Sequence, residues 1–146
     1  MPAPIEDYAL LGDTETAALV AKDGSIDWLA LPRFDSPACF AALLGTEEHG
    51  RWLIAPASPI RKCTRRYRAG LVLETLWETD DGTVALIDGM PLRDERPNLL
   101  RIVEGRSGHV PMRLELIARF DYGSIVPWVR TVEGRWRAVA GPDALV

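Results

Sequence analysis

The sequence of 146 residues predicts a mainly β protein, an antiparallel β-sandwich with one short helix near residues 37–44. Three observations favour this class. Glycine-containing turn dipeptides separate short runs of alternating apolar and polar residues, which gives about nine or ten short strands. Helical periodicity is nearly absent elsewhere. The prolines fall mostly at the ends of these runs, where a missing backbone N–H does least harm.

The first hairpin lies in the stretch TAALVAKDGSIDWLAL. Asp23-Gly24 between two apolar runs is typical of a two-residue type I′ turn, in which both central residues need positive φ. Pairing outward from this turn gives one wholly apolar face. Its opposite pairs are Ala21–Ile26, Leu19–Trp28 and Ala17–Ala30. The other face is mixed and suits partial exposure or a second covering layer.

The helix is predicted from its two ends. Ser36 is a favourable N-cap, Pro37 suits the first helical position because its φ is preset, and Gly45 suits the position after the last helical residue. The apolar side chains at helical spacing would share one face and pack against the sheet. They are Phe40, Leu43 and Leu44.

Three later turns predict three further hairpins. Asp81-Gly82 would place Trp77 opposite Leu86 and Leu76 opposite Ile87, and Ser107-Gly108 and Glu133-Gly134 mark the other two turns. Between the first and second hairpins, the stretches RWLIA and RKCTRRYR predict two more strands. The basic residues of the second stretch are interpreted as the solvated face of a strand.

Charge and hydropathy exclude some partners. The net charge is −4, so the chain lacks the basic character of a nucleic-acid-binding protein. No segment approaches the ~20 apolar residues of a membrane span, and the first residues do not resemble a secretory leader. We therefore expect a cytoplasmic protein without a nucleic-acid or membrane partner. Cys39 and Cys63 are expected to be small buried hydrophobic residues, although a disulfide between them stays open.

The stretch LPRFDSP holds the strongest candidate site. Arg33 and Asp35 flank Phe34 in an extended connection that leaves the first hairpin, and binding loops tend to lie at such positions. A local interpretation competes with this one: Asp35 would accept backbone N–H groups at the start of the helix, and Arg33 would pair with Asp35.

No motif predicts a catalytic residue, a metal site or a cofactor. His49 and His109 each lack a second ligand at metal spacing, and Glu47 and Glu48 read as a solvated turn. Nucleophile and phosphate-loop motifs are absent from the sequence. The tryptophans could instead stack on sugars: Trp28 and Trp77 are expected in the core, whereas Trp52, Trp128 and Trp136 stay undecided.

The block IEDYALLGDTETAALVAKDGSIDWLALPRFDSPACFAALLG resembles the opening of bacterial and archaeal glycoside hydrolase family 15 proteins, the glucoamylase-like and trehalase-like group. The later stretches LRIVEG, VPMRLEL and RFDYG followed by PW resemble the same group. The resemblance covers nearly the whole chain.

This resemblance implies a role without catalysis. In the family, the N-terminal part is a large β-sandwich (a super-sandwich), and a following (α/α)₆ barrel supplies two catalytic glutamates for inverting hydrolysis of α-glucosides. No glutamate of this chain aligns with them. The implied picture is one sandwich domain over residues 1–146, a fragment without its last strands and without the barrel. Arg33, Phe34 and Asp35 would contact the barrel or the rim of the sugar pocket.

Two other functions stay open. The sandwich could be an independent carbohydrate-binding module, or it could be a structural or oligomerisation domain. Uncovered strand edges and apolar surface would favour self-association of the isolated chain. The sequence does not distinguish trehalose from maltooligosaccharides as the substrate of the implied enzyme.

Overall fold

A computed structural model of the protein describes residues 2–146, and 54% of the residues are in strands against 8% in helical turns. The mainly β prediction is confirmed, with more strands than expected. The strands are β1 Tyr8–Gly12, β2 Ala17–Ala21, β3 Ser25–Ala30, β4 Ala38–Phe40, β5 Arg51–Pro56, β6 Ile60–Tyr67, β7 Leu73–Thr79, β8 Gly82–Gly89, β9 Leu100–Gly108, β10 Met112–Ile117, β11 Trp128–Val132, β12 Arg135–Ala140 and β13 Asp143–Leu145. Short 3₁₀ turns cover Ile5–Asp7, Ala42–Leu44, Glu47–His49 and Asp121–Gly123.

The strands form three antiparallel sheets. The first sheet has the order β1-β2-β3-β5-β10, with β4 also paired to β3. The second sheet has the order β6-β7-β8-β9, and the third is the small sheet β11-β12-β13. The first two sheets pack in a sandwich-like arrangement, as their alternating apolar residues predict.

The core lies between the first two sheets. Leu73 of β7 is buried in one cluster with residues of the first sheet, among them Leu11, Val20 and Leu29. A second cluster surrounds Trp77, which has no exposed surface and whose indole N–H donates to the carbonyl of Lys22 at 3.3 Å. The mixed face of the first hairpin is therefore covered by a second layer, which was one of the two expectations for it.

The first hairpin has the predicted position with a different turn. Gly24 has φ 90° and its N–H donates to the carbonyl of Ala21 at 3.0 Å, so Lys22 and Asp23 are the central turn residues and glycine follows them. This is the three-residue connection with a bulge, not the predicted type I′ turn. The Leu19–Trp28 pair is confirmed. The register then shifts, and the predicted Ala21–Ile26 pair is wrong because Ile26 lies opposite Val20.

The predicted helix over residues 37–44 is wrong. Ala38–Phe40 form β4, in which Phe40 lies opposite Leu29, and only Ala42–Leu44 make a single 3₁₀ turn. All three residues of β4 are buried. A helix of two turns is marginal by itself. Pairing with the free edge of β3 satisfies the same backbone groups and also buries these side chains, so tertiary packing overrides the helix signals.

The later turns were predicted with mixed success. Glu133-Gly134 has positive φ at both residues, 51° and 75°, and joins β11 to β12 as predicted. In the β7–β8 hairpin, Trp77 lies opposite Val84 rather than Leu86, and Leu76 lies opposite Ala85 rather than Ile87. This shift by two residues keeps every side chain on its predicted face. Ser107-Gly108 does not close a hairpin, because β9 pairs with β8 and β10 pairs with β5.

The two cysteines differ in environment. Cys39 is buried in β4 as expected, and burial raises the pKa of its thiol to about 12. Cys63 is exposed, so its predicted burial is wrong. It lies in β6, an edge strand whose side chains are mostly exposed. Both cysteines are free thiols.

Candidate functional site

The connection between β3 and β4 carries the predicted site residues, and it folds into a tight turn. The N–H of Arg33 donates to Ser36 Oγ at 3.1 Å, and the N–H of Ser36 donates to the carbonyl of Arg33 at 3.0 Å. Serine favours turns because its hydroxyl can accept from a nearby backbone N–H. Ser36 is therefore a turn residue and not the predicted helix N-cap.

Backbone contacts attach this turn to the β1–β2 connection. The N–H of Phe34 donates to the carbonyl of Glu15 at 2.9 Å. Next to it, the Thr16 hydroxyl donates to the carbonyl of Ala30 at 2.5 Å, at the end of β3. The position of the turn thus does not depend on its exposed side chains.

Asp13 and Arg93 fix the β1–β2 connection in turn. Asp13 Oδ1 accepts from the N–H of Glu15 at 3.0 Å and of Thr16 at 2.9 Å, and Oδ2 accepts from Arg93 Nε and Nη2 at 2.9 and 2.8 Å. Burial would raise the pKa of Asp13, but these N–H groups and the guanidinium outweigh it and hold the pKa below its usual value. The Asp13 carboxylate therefore stays charged at neutral pH. It holds together the β1–β2 connection, the β3–β4 turn and the β8–β9 connection, in which Arg93 lies.

The three predicted site residues lie side by side on the surface. Arg33 donates from Nε and Nη2 to the two carboxylate oxygens of Asp35, both at 3.0 Å. Their side chains are 67% and 70% exposed, and Phe34 between them is 66% exposed. A pair this exposed adds less than about 1 kcal/mol to stability. The turn thus presents an aromatic ring, guanidinium donors and a carboxylate to whatever contacts it.

The local interpretation of these residues is confirmed in one half. Arg33 pairs with Asp35 as that interpretation required. Its other half, with Asp35 at the start of a helix, is wrong because β4 follows the turn. The role of Arg33, Phe34 and Asp35 as a contact stays a prediction.

The tryptophans do not form one stacking platform. Trp77 is fully buried as predicted, and Trp28 is half-buried with its ring 6.0 Å from that of Tyr122. Trp52 is half-buried, and the Arg101 guanidinium carbon lies over its ring, 5.3 Å from the ring centre of Trp52. Trp128 and Trp136 are exposed, but the register of β11 and β12 places them on opposite faces. One flat ligand therefore cannot contact both.

The remaining polar residues fit local roles. His49 Nδ1 accepts from the N–H of Thr46 at 3.2 Å, and Glu47 and Glu48 are exposed as predicted. Among residues 2–146, no group of three potential ligands could hold a metal ion. The same residues contain no helix of sufficient length and hydropathy to cross a membrane.

Sequence reasoning missed Asp13 and Arg93, which position the site. The two residues are 80 positions apart, and a single sequence gives no signal that pairs them. The only local hint was that aspartate before Thr14-Glu15 suits a turn that it closes by accepting backbone N–H groups.

Comparison with known proteins gives a consistent family. The family model described as trehalase-like, N-terminal, matches residues 1–146. The chain is 32% identical to a trehalase of Mycobacterium tuberculosis over 97% of this chain and 24% of that protein. It is 38% identical to trehalase 2 of Sulfolobus acidocaldarius over 82% of this chain and 19% of that protein.

A third relative, a trehalase of Mycolicibacterium smegmatis, is 33% identical over 82% of this chain and 21% of its own length. The chain therefore spans about a fifth to a quarter of the curated relatives that it matches. No solved structure matches the chain.

Proposed function

We propose, because this chain belongs to the trehalase-like N-terminal family, that it is the non-catalytic β-sandwich of a longer enzyme that hydrolyses α-glucosides. The longer protein is called the parent chain below. The relatives reported above are all trehalases and are much longer than the matched region, which supports trehalose as the substrate of the parent chain. The catalytic part would be the (α/α)₆ barrel of a family 15 glycoside hydrolase.

The turn at residues 33–36 carries the proposed contact with that barrel. It exposes Arg33, Phe34 and Asp35 on a backbone that Glu15, Asp13 and Arg93 hold in place. A preorganised turn loses little conformational entropy when another surface packs on it. We propose that these three side chains buttress the barrel at the rim of the sugar pocket and so help to shape it.

Alanine variants in the parent chain test this role. Arg33→Ala, Phe34→Ala and Asp35→Ala should each lower kcat for trehalose by about tenfold, because small displacements of a pocket wall misalign the bound substrate. The circular dichroism spectrum should not change, since all three side chains are exposed.

An equally exposed ion pair on the second sheet provides the control. Arg61 and Asp80 form it, with side chains 71% and 59% exposed. Arg61→Ala and Asp80→Ala should leave kcat unchanged. If the turn variants behave like these controls, the turn does not shape the pocket.

A carbohydrate-binding module is the second candidate, and the 83% exposure of Trp128 favours it. Titration of the chain with trehalose and maltooligosaccharides, followed by tryptophan fluorescence, separates the two functions. Saturable sugar binding that Trp128→Ala abolishes would support the carbohydrate-binding module. The buttressing role predicts that the chain alone binds neither trehalose nor maltooligosaccharides.

An oligomerisation domain is the third candidate. The edge strand β9 exposes Leu100, Ile102 and Val103, and apolar edge strands favour association with a second copy. Analytical ultracentrifugation at rising protein concentration would detect this association, and a monomer at every concentration would exclude it.

A further inference from the structure

The third sheet has two different faces. In the hairpin β11–β12, Trp128 lies opposite Val139, Arg130 opposite Arg137 and Val132 opposite Arg135, so these six side chains share one face. This surface is called the Trp128 face below. On the other face, the sheet reaches the main core through Ala140 and Leu145, and Ala138 is buried. Beside β13 this face thus contacts the body of the protein, although Val129 and Trp136 on its outer part are exposed, and the Trp128 face lies on the opposite side.

The arginines of the Trp128 face have an unusual arrangement. Arg130 and Arg137 lie directly opposite each other, and like charges at such positions destabilise a sheet. Elsewhere, arginines such as Arg113 and Arg119 have carboxylate partners. Among residues 2–146, no carboxylate forms an ion pair with Arg130, Arg135 or Arg137. The face therefore holds three arginines without an ion-pair partner in this part of the chain, and Asp143 is the carboxylate that lines the same groove as Arg130.

The same face has a large exposed apolar part. Trp128 is 83% exposed and Val126 beside it is 70% exposed. They line an open groove of about 610 Å³ together with Arg130, Val139 and the β12–β13 connection. Tryptophan and arginine are the residue types most enriched where protein interfaces gain their binding energy. An exposed tryptophan beside unpaired arginines therefore indicates a docking surface.

We propose that the Trp128 face docks on an acidic surface of the catalytic part of the parent chain. This inference rests on the proposed function. Carboxylates on that surface would lie between Arg130 and Arg137 and remove the repulsion within the hairpin, while the ring of Trp128 would pack against apolar side chains. Because the chain spans only 24% and 19% of two relatives, most of a parent chain of that size lies outside it and can supply this surface.

A second copy of the chain does not fit this face. A two-fold interface brings the same patch together from both copies. The three unpaired arginines of each copy would then meet in one interface, with one Asp143 carboxylate from each groove to offset them, so the net repulsion would increase. The charge pattern therefore selects an acidic partner surface and not a self-complementary one.

Arginine-selective dicarbonyl labelling of the intact parent chain tests the proposal, with peptide mapping by mass spectrometry. Arg130 and Arg137 should react about tenfold more slowly than Arg96, an exposed arginine in the β8–β9 connection. Equal rates at Arg96, Arg130 and Arg137 would overturn the proposal.

Arg33 in the same experiment reports separately on the proposed function. Slow reaction at Arg33 with fast reaction at Arg130 and Arg137 would reject the Trp128 face and keep the buttressing turn. Slow reaction at Arg130 and Arg137 with fast reaction at Arg33 would support the Trp128 face and reject the buttressing turn. Fast reaction at all three would reject both contacts.

Arg137→Glu gives opposite effects in the two contexts. In the chain alone, the new carboxylate lies opposite Arg130 and should raise the Tm. In the parent chain, the same variant should accelerate labelling of Arg130, because it repels an acidic partner. Arg137→Lys keeps the charge and should keep Arg130 protected. Unchanged labelling of Arg130 in the Arg137→Glu parent would contradict an acidic partner surface.

Discussion

Arg101 joins the two large sheets through a single side chain. It lies in β9 and donates to both carboxylate oxygens of Asp88 at 2.8 and 3.1 Å within the second sheet. It also donates to the carbonyls of Trp52 at 2.5 Å and Gly24 at 2.7 Å, which belong to the first sheet and its turn. Neither charged side chain has any exposed surface. The pair therefore fixes how the sheets align, because Nε and Nη1 of Arg101 each have one acceptor in place and Nη2 has one in each sheet.

Arg101→Met should destabilise the chain strongly. The variant leaves Asp88 buried without its counter-charge, and loss of one partner of a buried ion pair costs about 3–5 kcal/mol of the free energy of unfolding. The double variant Arg101→Met/Asp88→Leu should recover part of this loss, because it removes the uncompensated charge. Urea denaturation measures both.

Arg96→Met is the control for this prediction. Arg96 is exposed, so its replacement should change the free energy of unfolding by less than about 0.5 kcal/mol. A loss at Arg101 no larger than the loss at Arg96 would show that the buried pair does not hold the sheets together.

Neither buried ion pair could be predicted from the sequence. Asp88 and Arg101 are 13 positions apart and Asp13 and Arg93 are 80 apart, and charged residues at such separations carry no pairing signal. The exposure of a side chain could not be predicted from the sequence either. Cys63 was predicted to be buried from its residue type, but its position in an edge strand leaves it exposed. The PRFDSP turn was located correctly because its residue types have local preferences.

Among the structural elements, the first hairpin has a turn that tolerates no side chain on its glycine. A Cβ on Gly24 would lie 2.1 Å from the carbonyl oxygen of Ile54 and 2.9 Å from the ring of Trp77, and φ at this position is 90°. The turn thus packs directly on the neighbouring strand β5 and on the core of the second sheet. Glycine is required both for its positive φ and for the close approach.

Gly24→Ala should therefore lower the free energy of unfolding more than Gly134→Ala, the same change in the β11–β12 turn. We expect a loss of about 3 kcal/mol, from backbone strain and from overpacking against Ile54 and Trp77. A Cβ on Gly134 would have no atom within 4 Å, and φ there is 75°. Gly134→Ala should therefore lower the free energy of unfolding only by the backbone strain, about 1 kcal/mol. Thermal unfolding of both variants measures the difference, and equal losses would contradict the close packing of the first turn.

The secondary-structure predictions were correct where residues adjacent in sequence determine the structure. They were wrong where strands distant in sequence determine it. Glu133-Gly134 closes its hairpin because two residues with positive φ suffice. The helix at residues 37–44 failed because β3 offered Ala38–Phe40 a strand partner. The Ser107-Gly108 hairpin failed because alternation shows that β9 and β10 are strands, but not that they belong to different sheets.

At the scale of the whole molecule, we propose that the sandwich is a support with two outward surfaces. The turn at Arg33–Ser36 and the Trp128 face both expose aromatic and charged side chains on a backbone held from within. The membership in the trehalase-like N-terminal family and the greater length of the relatives agree with such a role. Reactivity would then come from the part of the parent chain that these surfaces contact.

The most direct test of this account is glucose release from trehalose, measured for residues 1–146 alone and for the parent chain under the same conditions. The account predicts that the parent chain releases glucose and that the sandwich alone releases none, at any enzyme concentration. Glucose release by residues 1–146 alone would contradict the central claim that this domain supports catalysis without performing it.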